Sequence, residues 1–424
     1  MLKIVNCSGK NSIKKLNLIL DRRRSINETN NQIVTKIIND IKRNGIKAVK
    51  KYEKKFTNNS EIILSKAKIN SIIKKLNPKV KQAIDFAYNR IMKFHSKQLI
   101  NTKNVLYKDK FKNKLEYKIV PIESIGIYVP GNLPSTLLMN SVPAKLAKVK
   151  RIVLSTPKVN GQLNPAVLYA AKKVGIKEII SCGGAQAIAC LAYIYKCNKI
   201  VGPGNKYVAE AKRILAGKVV GTESMFAGPS EICVLADKNS DINQIATSLI
   251  SQAEHDIDSQ CILVTKDESI IKKVKKEILF LIKDLPRKKI AVQSLKKNGL
   301  IIKVNSDKQI INVINSISTE HLELQVKNFN TYSNKIFNAG SICNGKYSPM
   351  CLSDFTVGTN HVLPTSGSAK FSSGLNINDF IKKISVVTLT KLGVEKIANQ
   401  AITLSEFEGL KGHTQSIKSR LRRN

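Results

Sequence analysis

"EIISCGGAQAIACLAYIYKCNKIVGPGNKYVAEAKRILAG", residues 178–217, reads as strand, helix, strand and helix. "EIISC" and "KIVGPG" are short and β-rich, whereas 185–195 and 205–216 carry helical apolar spacing. Gly217 then stands where a left-handed residue closes a helix. The rhythm continues outward. Upstream, "YKIVPIESIGIYVP" is strand material before a helix over 135–148. "RIVLSTP" is a strand before a helix over 165–174, closed by Gly175. Downstream of "GPSEICVLAD" come a helix running into Gln252, a strand at "QCILVTKD" and a helix over 269–285. Repeated βαβ order makes strands parallel, with helices on both faces. The expected fold class is α/β: two doubly wound, Rossmann-like parallel-sheet domains with helical N- and C-terminal extensions.

At 424 residues the chain exceeds one ordinary core. Residues 1–20 read as an N-terminal extension. Residues 21–118, mainly helical, are grouped with 236–375 as a first α/β domain, and 119–235 form a second. Residues 376–424 read as a helical C-terminal segment. No apolar run reaches the roughly 18 residues of a membrane helix. "MLKIVNCSGKNSIKKLNLIL" lacks an uninterrupted apolar core, so no signal peptide is expected. Eight scattered Cys without a C-x-x-C pair fit a reducing cytoplasm.

The formal charge of +41 raises a nucleic-acid reading. Between Ile119 and Gln260, however, 15 Lys or Arg stand against 10 Asp or Glu, a net of +5. The excess lies in Lys-, Asn- and Ile-rich text such as "IIKKLNPKVKQ", without the interleaved aromatics that stack on bases. Specific nucleic-acid binding is therefore not expected. Weak, salt-sensitive adhesion to polyanions is.

Ligands of open parallel sheets sit at strand carboxyl ends. Here "YVPGN" (128–132), "CGGAQA" (182–187) and "VGPGN" (201–205) each follow a strand and open a helix. Each alone reads as a tight turn, and Asn205 as a plain N-cap. Together they favour a phosphate-bearing cofactor, although none is G-x-G-x-x-G. "SQAEHDIDSQ" (251–260) places Gln252 and His255 three apart, on one face if the helix continues, as metal donors or as surface groups. In "STEHLELQV" (318–326), Glu320 and His321 are acid–base candidates at a loop or helix start. A capped helix N-terminus explains that text equally well. The long turn-rich run 348–375 holds Asp354 as a ligand or base candidate. Glu408 and His413 flank a break at Gly409 or Gly412. Of the five His, His95 sits in a Lys-rich helix and reads as surface. His255, His321, His361 and His413 lie in motif-dense loops.

Nine collinear strings resemble the histidinol dehydrogenase family: "GIYVPG", "CGGAQAIA", "IVGPGNKYVAEAKR", "AGPSEI", "QAEHDIDSQ", "EHLEL", "NAGSI", "GTNHVLPTSGSAKFSSGL" and "EGLKGH". That resemblance implies zinc-dependent oxidation of L-histidinol through L-histidinaldehyde to L-histidine with two NAD⁺, the last step of histidine biosynthesis. It implies one Zn²⁺ per subunit on Gln252, His255, Asp354 and His413, the last from the partner of a cytoplasmic homodimer with a shared active site. It implies substrate contacts at Ser230, Gln252, His255, His321, Asp354, Glu408 and His413. Catalysis would fall to Glu320 and His321, and NAD⁺ contacts to Tyr128, Gln186 and Asn205 in 119–235. The sequence departs from the family at Asn132, where a second Gly is usual, and at Ser318–Thr319, usually Ala-Pro. Lys370 replaces a common Arg, and Thr359 a common Pro. The competing readings are a zinc hydrolase with Glu320 as base and a non-catalytic polyanion binder.

Overall fold

The computed structural model describes residues 2–7, 9, 12–24, 29–102, 104–223 and 228–421. A five-stranded parallel sheet has the order Glu178–Ile180, Arg151–Ser155, Ser124–Tyr128, Lys199–Val201, Gly221–Thr222. A six-stranded parallel sheet has the order Lys3–Asn6, Leu300–Lys303, Gln260–Thr265, Glu231–Ala236, His321–Gln325, Ser341–Asn344. In both, the chain winds outward from a central strand, returns, and winds the other way, as the repeated βαβ text predicts. The winding reverses between Ser124–Tyr128 and Lys199–Val201 in one sheet, and between Glu231–Ala236 and His321–Gln325 in the other. Every residue of Glu231–Ala236 and Gln260–Thr265 is buried, as strands between two helical layers must be.

A third sheet is antiparallel: Ile381–Thr388, Lys114–Pro121, Val105–Lys108. The C-terminal segment is therefore not wholly helical. Its β-branched run "IKKISVVT" pairs with Lys114–Pro121 over eight residues before the helices Lys391–Phe407 and Lys411–Ser419. Val105, Tyr107, Tyr117 and Val387 on this sheet are all exposed.

Packing also redraws the grouping of the N-terminal part. Lys3–Asn6 pairs in register with Leu300–Lys303, and Leu16 and Leu20 are buried in the same core, so this strand is an integral edge of the six-stranded sheet and not an extension. The helical segment Thr29–Thr57, broken at Gly45 with φ 57°, packs instead on Gly184–Ala189 and Lys206–Leu215, and Pro78–Ser96 on Pro134–Leu146. These helices cover the five-stranded sheet. Glu231–Ala236 belongs to the six-stranded one, so the change of sheet falls before residue 231 and not after 235. An apolar stripe shows that a helix is covered, not which sheet covers it.

His95 shows the same limit at one position. Ile84, Ala87, Ile91 and His95 share the buried face of Pro78–Ser96, and His95 is 1% exposed with Nδ1 3.0 Å from Gln98 Oε1. Its Lys-rich neighbours lie on the opposite, solvated face. His95 is a core histidine, not a surface one.

Candidate active site

The carboxyl edge of the five-stranded sheet faces the amino edge of the six-stranded sheet. Thr136, in the first turn after Ser124–Tyr128, has its Oγ1 3.2 Å from His361 Nε2, and Asn360 Nδ2 donates to Met139 O at 2.7 Å. A cleft of about 560 Å³ is lined by Asn132 and Leu133 from one side and Glu254, His255, Pro286 and Arg287 from the other. Asn132 and His255 thus line one cleft. Gly131, the neighbour of Asn132, has no room for a side chain, since a Cβ would meet Pro157 O at 2.4 Å.

Glu320 and His321 sit where a helix ends and a strand starts. The helix Asp307–Ile317 stops at Ser318, whose φ of 51° is left-handed and whose N–H donates to Ile314 O. Thr319 and Glu320 then lead into His321–Gln325, flanked by Glu231–Ala236 and Ser341–Asn344. Glu320 thus lies in the short connection and His321 opens the strand, so the loop reading holds for Glu320 and the helix-start reading for neither. All four residues of "STEH" are buried, and a buried carboxylate needs donors. Glu320 Oε2 accepts the Glu231 N–H at 2.8 Å, and Gln252 Nε2 approaches the same oxygen at 3.5 Å.

The helix Ile242–Ala253 does not continue through His255. It ends at Ala253, and the His255 N–H turns back to Gln252 O at 3.2 Å. Gln252 is buried while His255 opens onto the cleft. Arg287 donates to the His255 carbonyl at 3.1 Å and fixes this turn. Asp354 lies on the short helix Met350–Phe355, whose first N–H donates to Glu323 Oε1 at 2.7 Å. The run 348–375 is therefore ordered, as its embedded apolar residues require.

His321 Nε2 lies 3.9 Å from Glu320 Oε1 and 3.7 Å from Asp354 Oδ1. Burial, with His361 and His255 nearby, pushes the His321 imidazole down to about 3. It is neutral at physiological pH, with a lone pair available as a base. Burial and the Glu323 charge push the Asp354 carboxyl up to about 7. His361 is pushed down to about 4 by burial, opposed by its hydrogen bond to the Asp354 backbone, with Nδ1 2.7 Å from Asp354 O. Sequence reading named His361 among the loop histidines but assigned it no role. Its place in the turn-rich text "GTNHVLPTSG" was the available signal.

Three buried atoms here have no hydrogen-bond partner among the described residues: Gln252 Oε1, His321 Nδ1 and Asp354 Oδ1. Orphaned lone pairs in one place are what a bound cation or polar substrate would satisfy. An amide oxygen, a carboxylate and the imidazole of His255 suit Zn²⁺, but they are three donors of four. Among the described residues no group of three or more His, Cys, Asp or Glu could hold a metal ion. Glu408 and His413 do not join the group in one chain. Both are exposed at the junction of Lys391–Phe407 and Lys411–Ser419, broken at Gly409 with φ 73°. Ser230 is half-buried beside Glu231, its carbonyl accepting the Gln260 N–H at 2.9 Å.

On the facing sheet, Tyr128 ends the central strand beside the winding reversal. Gly202 must be glycine there: φ is 111°, and a Cβ would meet Tyr128 O at 2.0 Å. Burial raises the Tyr128 phenol to about 12. Gln186 is buried and donates to Glu53 Oε1 at 2.8 Å. Asn205 is an N-cap, its Oδ1 accepting from Tyr207 and Val208 N–H at 3.1 and 3.2 Å. The buried Lys212 donates to Gly202 O at 2.8 Å and pairs with Glu223, tying down the "VGPG" turn.

Comparison with known proteins bears on this arrangement as a whole. A model of the histidinol dehydrogenase family matches residues 20–421. Histidinol dehydrogenase of Pelagibacter ubique (strain HTCC1062) is 53% identical, over the whole of both chains. That of Listeria monocytogenes serovar 1/2a is 41% identical over 96% of this chain and 97% of its own. The crystal structure of histidinol dehydrogenase from Elizabethkingia anophelis superposes with a TM-score of 0.91 at 36% identity, covering 99% of this chain and 98% of that one.

Proposed function

The chain belongs to the histidinol dehydrogenase family, and from that premise we propose how the buried residues around His321 divide its reaction. The activity is the NAD-dependent oxidation of L-histidinol to L-histidine. The observation that carries the proposal is the placing of the His321 imidazole beside Glu320, Nε2 3.9 Å from Oε1, both enclosed at the amino edge of the six-stranded sheet.

The alcohol carbon loses a hydride to NAD⁺ and its hydroxyl loses a proton, giving aldehyde, NADH and H⁺. His321 takes that proton, for which a neutral imidazole is the competent form. Glu320 draws a proton from the water that adds to the aldehyde. Loss of a second hydride from the hydrate to a second NAD⁺, and of two protons that pass to solvent, then gives the carboxylate and a second NADH. Glu320 is held for this by the Glu231 N–H, which leaves Oε1 facing the imidazole.

Gln252, His255 and Asp354, with His413 from a second copy of the chain, would hold one Zn²⁺. Bound there, zinc orients the imidazole and amine of the substrate as a template. Ser230 and Glu408 would add substrate contacts, and Tyr128, Gln186 and Asn205 would meet the dinucleotide. The three orphaned atoms and the three-of-four donor set support a site completed by a second chain. So does the exposed apolar surface of the antiparallel sheet and the C-terminal helices, including Leu404 and Phe407. A homodimer in the cytoplasm is the assembly proposed. Among the described residues no helix is long and apolar enough to cross a membrane.

The test is NADH formation by zinc-loaded protein given L-histidinol and NAD⁺. Two NADH per L-histidinol consumed are expected. The absence of any histidinol-dependent signal would turn the reading toward a zinc hydrolase.

A further inference from the structure

Glu53 is a buried carboxylate that the reaction above does not use. It lies near the end of Thr29–Thr57, far in sequence from every glycine-rich turn, and is 1% exposed. Three donors surround it. Oε1 accepts the Gly183 N–H at 2.9 Å and Gln186 Nε2 at 2.8 Å, and Oε2 accepts Thr57 Oγ1 at 2.9 Å. A buried charge persists only when satisfied in this way. Next to it, Asn59 Nδ2 donates to Ser181 O at 2.8 Å, so the helix end is fastened to the strand end that leads into "CGG".

Two consequences follow for the turn. Its first glycine amide faces Glu53 and its second, Gly184, bonds Tyr128, which is how Tyr128 and Gln186 come to share one network. The anion preference of this helix start is met from within the protein and is not left for a phosphate. The carboxylate also decides which way the Gln186 amide turns. Beside an acceptor-only group the NH₂ must face Glu53, so the oxygen faces away, along Gly184, where a Cβ would meet it at 2.9 Å.

We propose that Glu53 is a positioning residue for the dinucleotide: it orients Gln186 to present an acceptor oxygen to an N–H or O–H donor of NAD⁺, a carboxamide or ribose hydroxyl, rather than to a phosphate. This rests on the reading of Gln186 as a cofactor contact. Glu53→Gln keeps the shape of the side chain but offers a donor of its own, which frees the Gln186 amide to flip.

The experiment measures both Michaelis constants, kcat and Tm for Glu53→Gln and Gln186→Ala in the zinc-loaded enzyme. Glu53→Gln is expected to raise KM for NAD⁺ about tenfold, the worth of roughly one charge-assisted hydrogen bond. KM for L-histidinol should stay within about twofold, because that contact lies on the other sheet. If Gln186→Ala raises KM for NAD⁺ and Glu53→Gln does not, the positioning role is wrong while the cofactor site stands. If neither raises it, Gln186 is no cofactor contact and both readings fall. Equal loss in both Michaelis constants together with a lowered Tm would make Glu53 purely structural and overturn the proposal. Should Glu53→Gln not fold, the reciprocal Glu53→Gln/Gln186→Glu protein restores the pair and still presents an acceptor. Its KM for NAD⁺ should lie nearer the parent's than that of Gln186→Ala, and a value as high as that variant's would overturn the proposal.

Discussion

His321 Nε2 lies 3.7 Å from Asp354 Oδ1, too far for a hydrogen bond, and Asp354 Oδ1 has no other partner among the described residues. The same nitrogen is 3.9 Å from Glu320 Oε1. One neutral imidazole therefore stands between two carboxylates without bonding either, in a space walled by buried backbone. Such spacing gathers the three side chains at one point while leaving each to bond something other than its neighbours.

The two halves of the reaction should separate by mutation. Glu320→Gln should still oxidise L-histidinol but stall at hydration of the aldehyde. His321→Asn should lose most in the alcohol step. Each loss should be on the order of 10²–10⁴ in rate, the usual worth of a positioned acid or base. Single-turnover NADH formation from L-histidinol and from L-histidinaldehyde reads both halves, and equal loss in both for both variants would defeat the division.

Metal binding has a readout independent of turnover. A ligand that binds only the folded state stabilises it, by about 2.7 kcal/mol at one hundred times its Kd. Zinc added to metal-free protein should raise Tm, and neither His255→Ala nor Asp354→Asn should show the full rise. An undiminished shift in both variants would remove these residues from the ligand set.

The metal-free protein should lose stability on mild acidification. His321 and His361, at about 3 and about 4 when folded against 6.5 when unfolded, contribute stability that is complete above pH 6.5 and lost as pH falls through their folded values. Asp354, raised from 3.8 to about 7, works the other way: its contribution is complete below 3.8 and lost as pH rises through 7. Two imidazoles against one carboxylate leave a net uptake of protons on unfolding between pH 4 and 6.5, so stability falls as pH is lowered through that window. His95 and His255, also lowered, act in the direction of the imidazoles. Urea midpoints that rise as pH is lowered from 6.5 to 5 would contradict this.

The buried Lys212–Glu223 pair should be costly to break on one side. Lys212→Ala strands the Glu223 carboxylate and releases the Gly202 carbonyl, at about 3–5 kcal/mol of stability. Replacing both partners by Met and Leu should cost far less. Equal destabilisation by the single and double changes would place the effect in packing and not in the charge.

What the sequence revealed follows from which signals are local. Strand–helix alternation is local, so both wound sheets and the turns at Tyr128, Gln186 and Asn205 were legible. Which helix covers which sheet is not local, and Thr29–Thr57 and Lys3–Asn6 were misgrouped for that reason. A single buried face among lysines hid His95, since charge on three sides of a helix outweighs one apolar stripe in composition. "EHLEL" could not be told from a helix start because Ser318 supplies cap chemistry at a helix end. Carboxyl-end reasoning located the three glycine-rich turns but not the facing amino edge, where Glu320 and His321 stand. No spacing rule brings Glu408 and His413 to Gln252, because in one chain they are exposed on a separate helical pair.

That separation gives the most direct test. His255→Ala and His413→Ala proteins, each inactive alone, are mixed, dissociated and allowed to reassociate. If the site joins Gln252, His255 and Asp354 of one chain to His413 of another, half the dimers become mixed and each holds one intact site. About a quarter of the parent activity and zinc content should then return. A mixture that forms mixed dimers yet stays inactive, or a His413→Ala protein that keeps its zinc and its turnover unaided, would contradict the shared site.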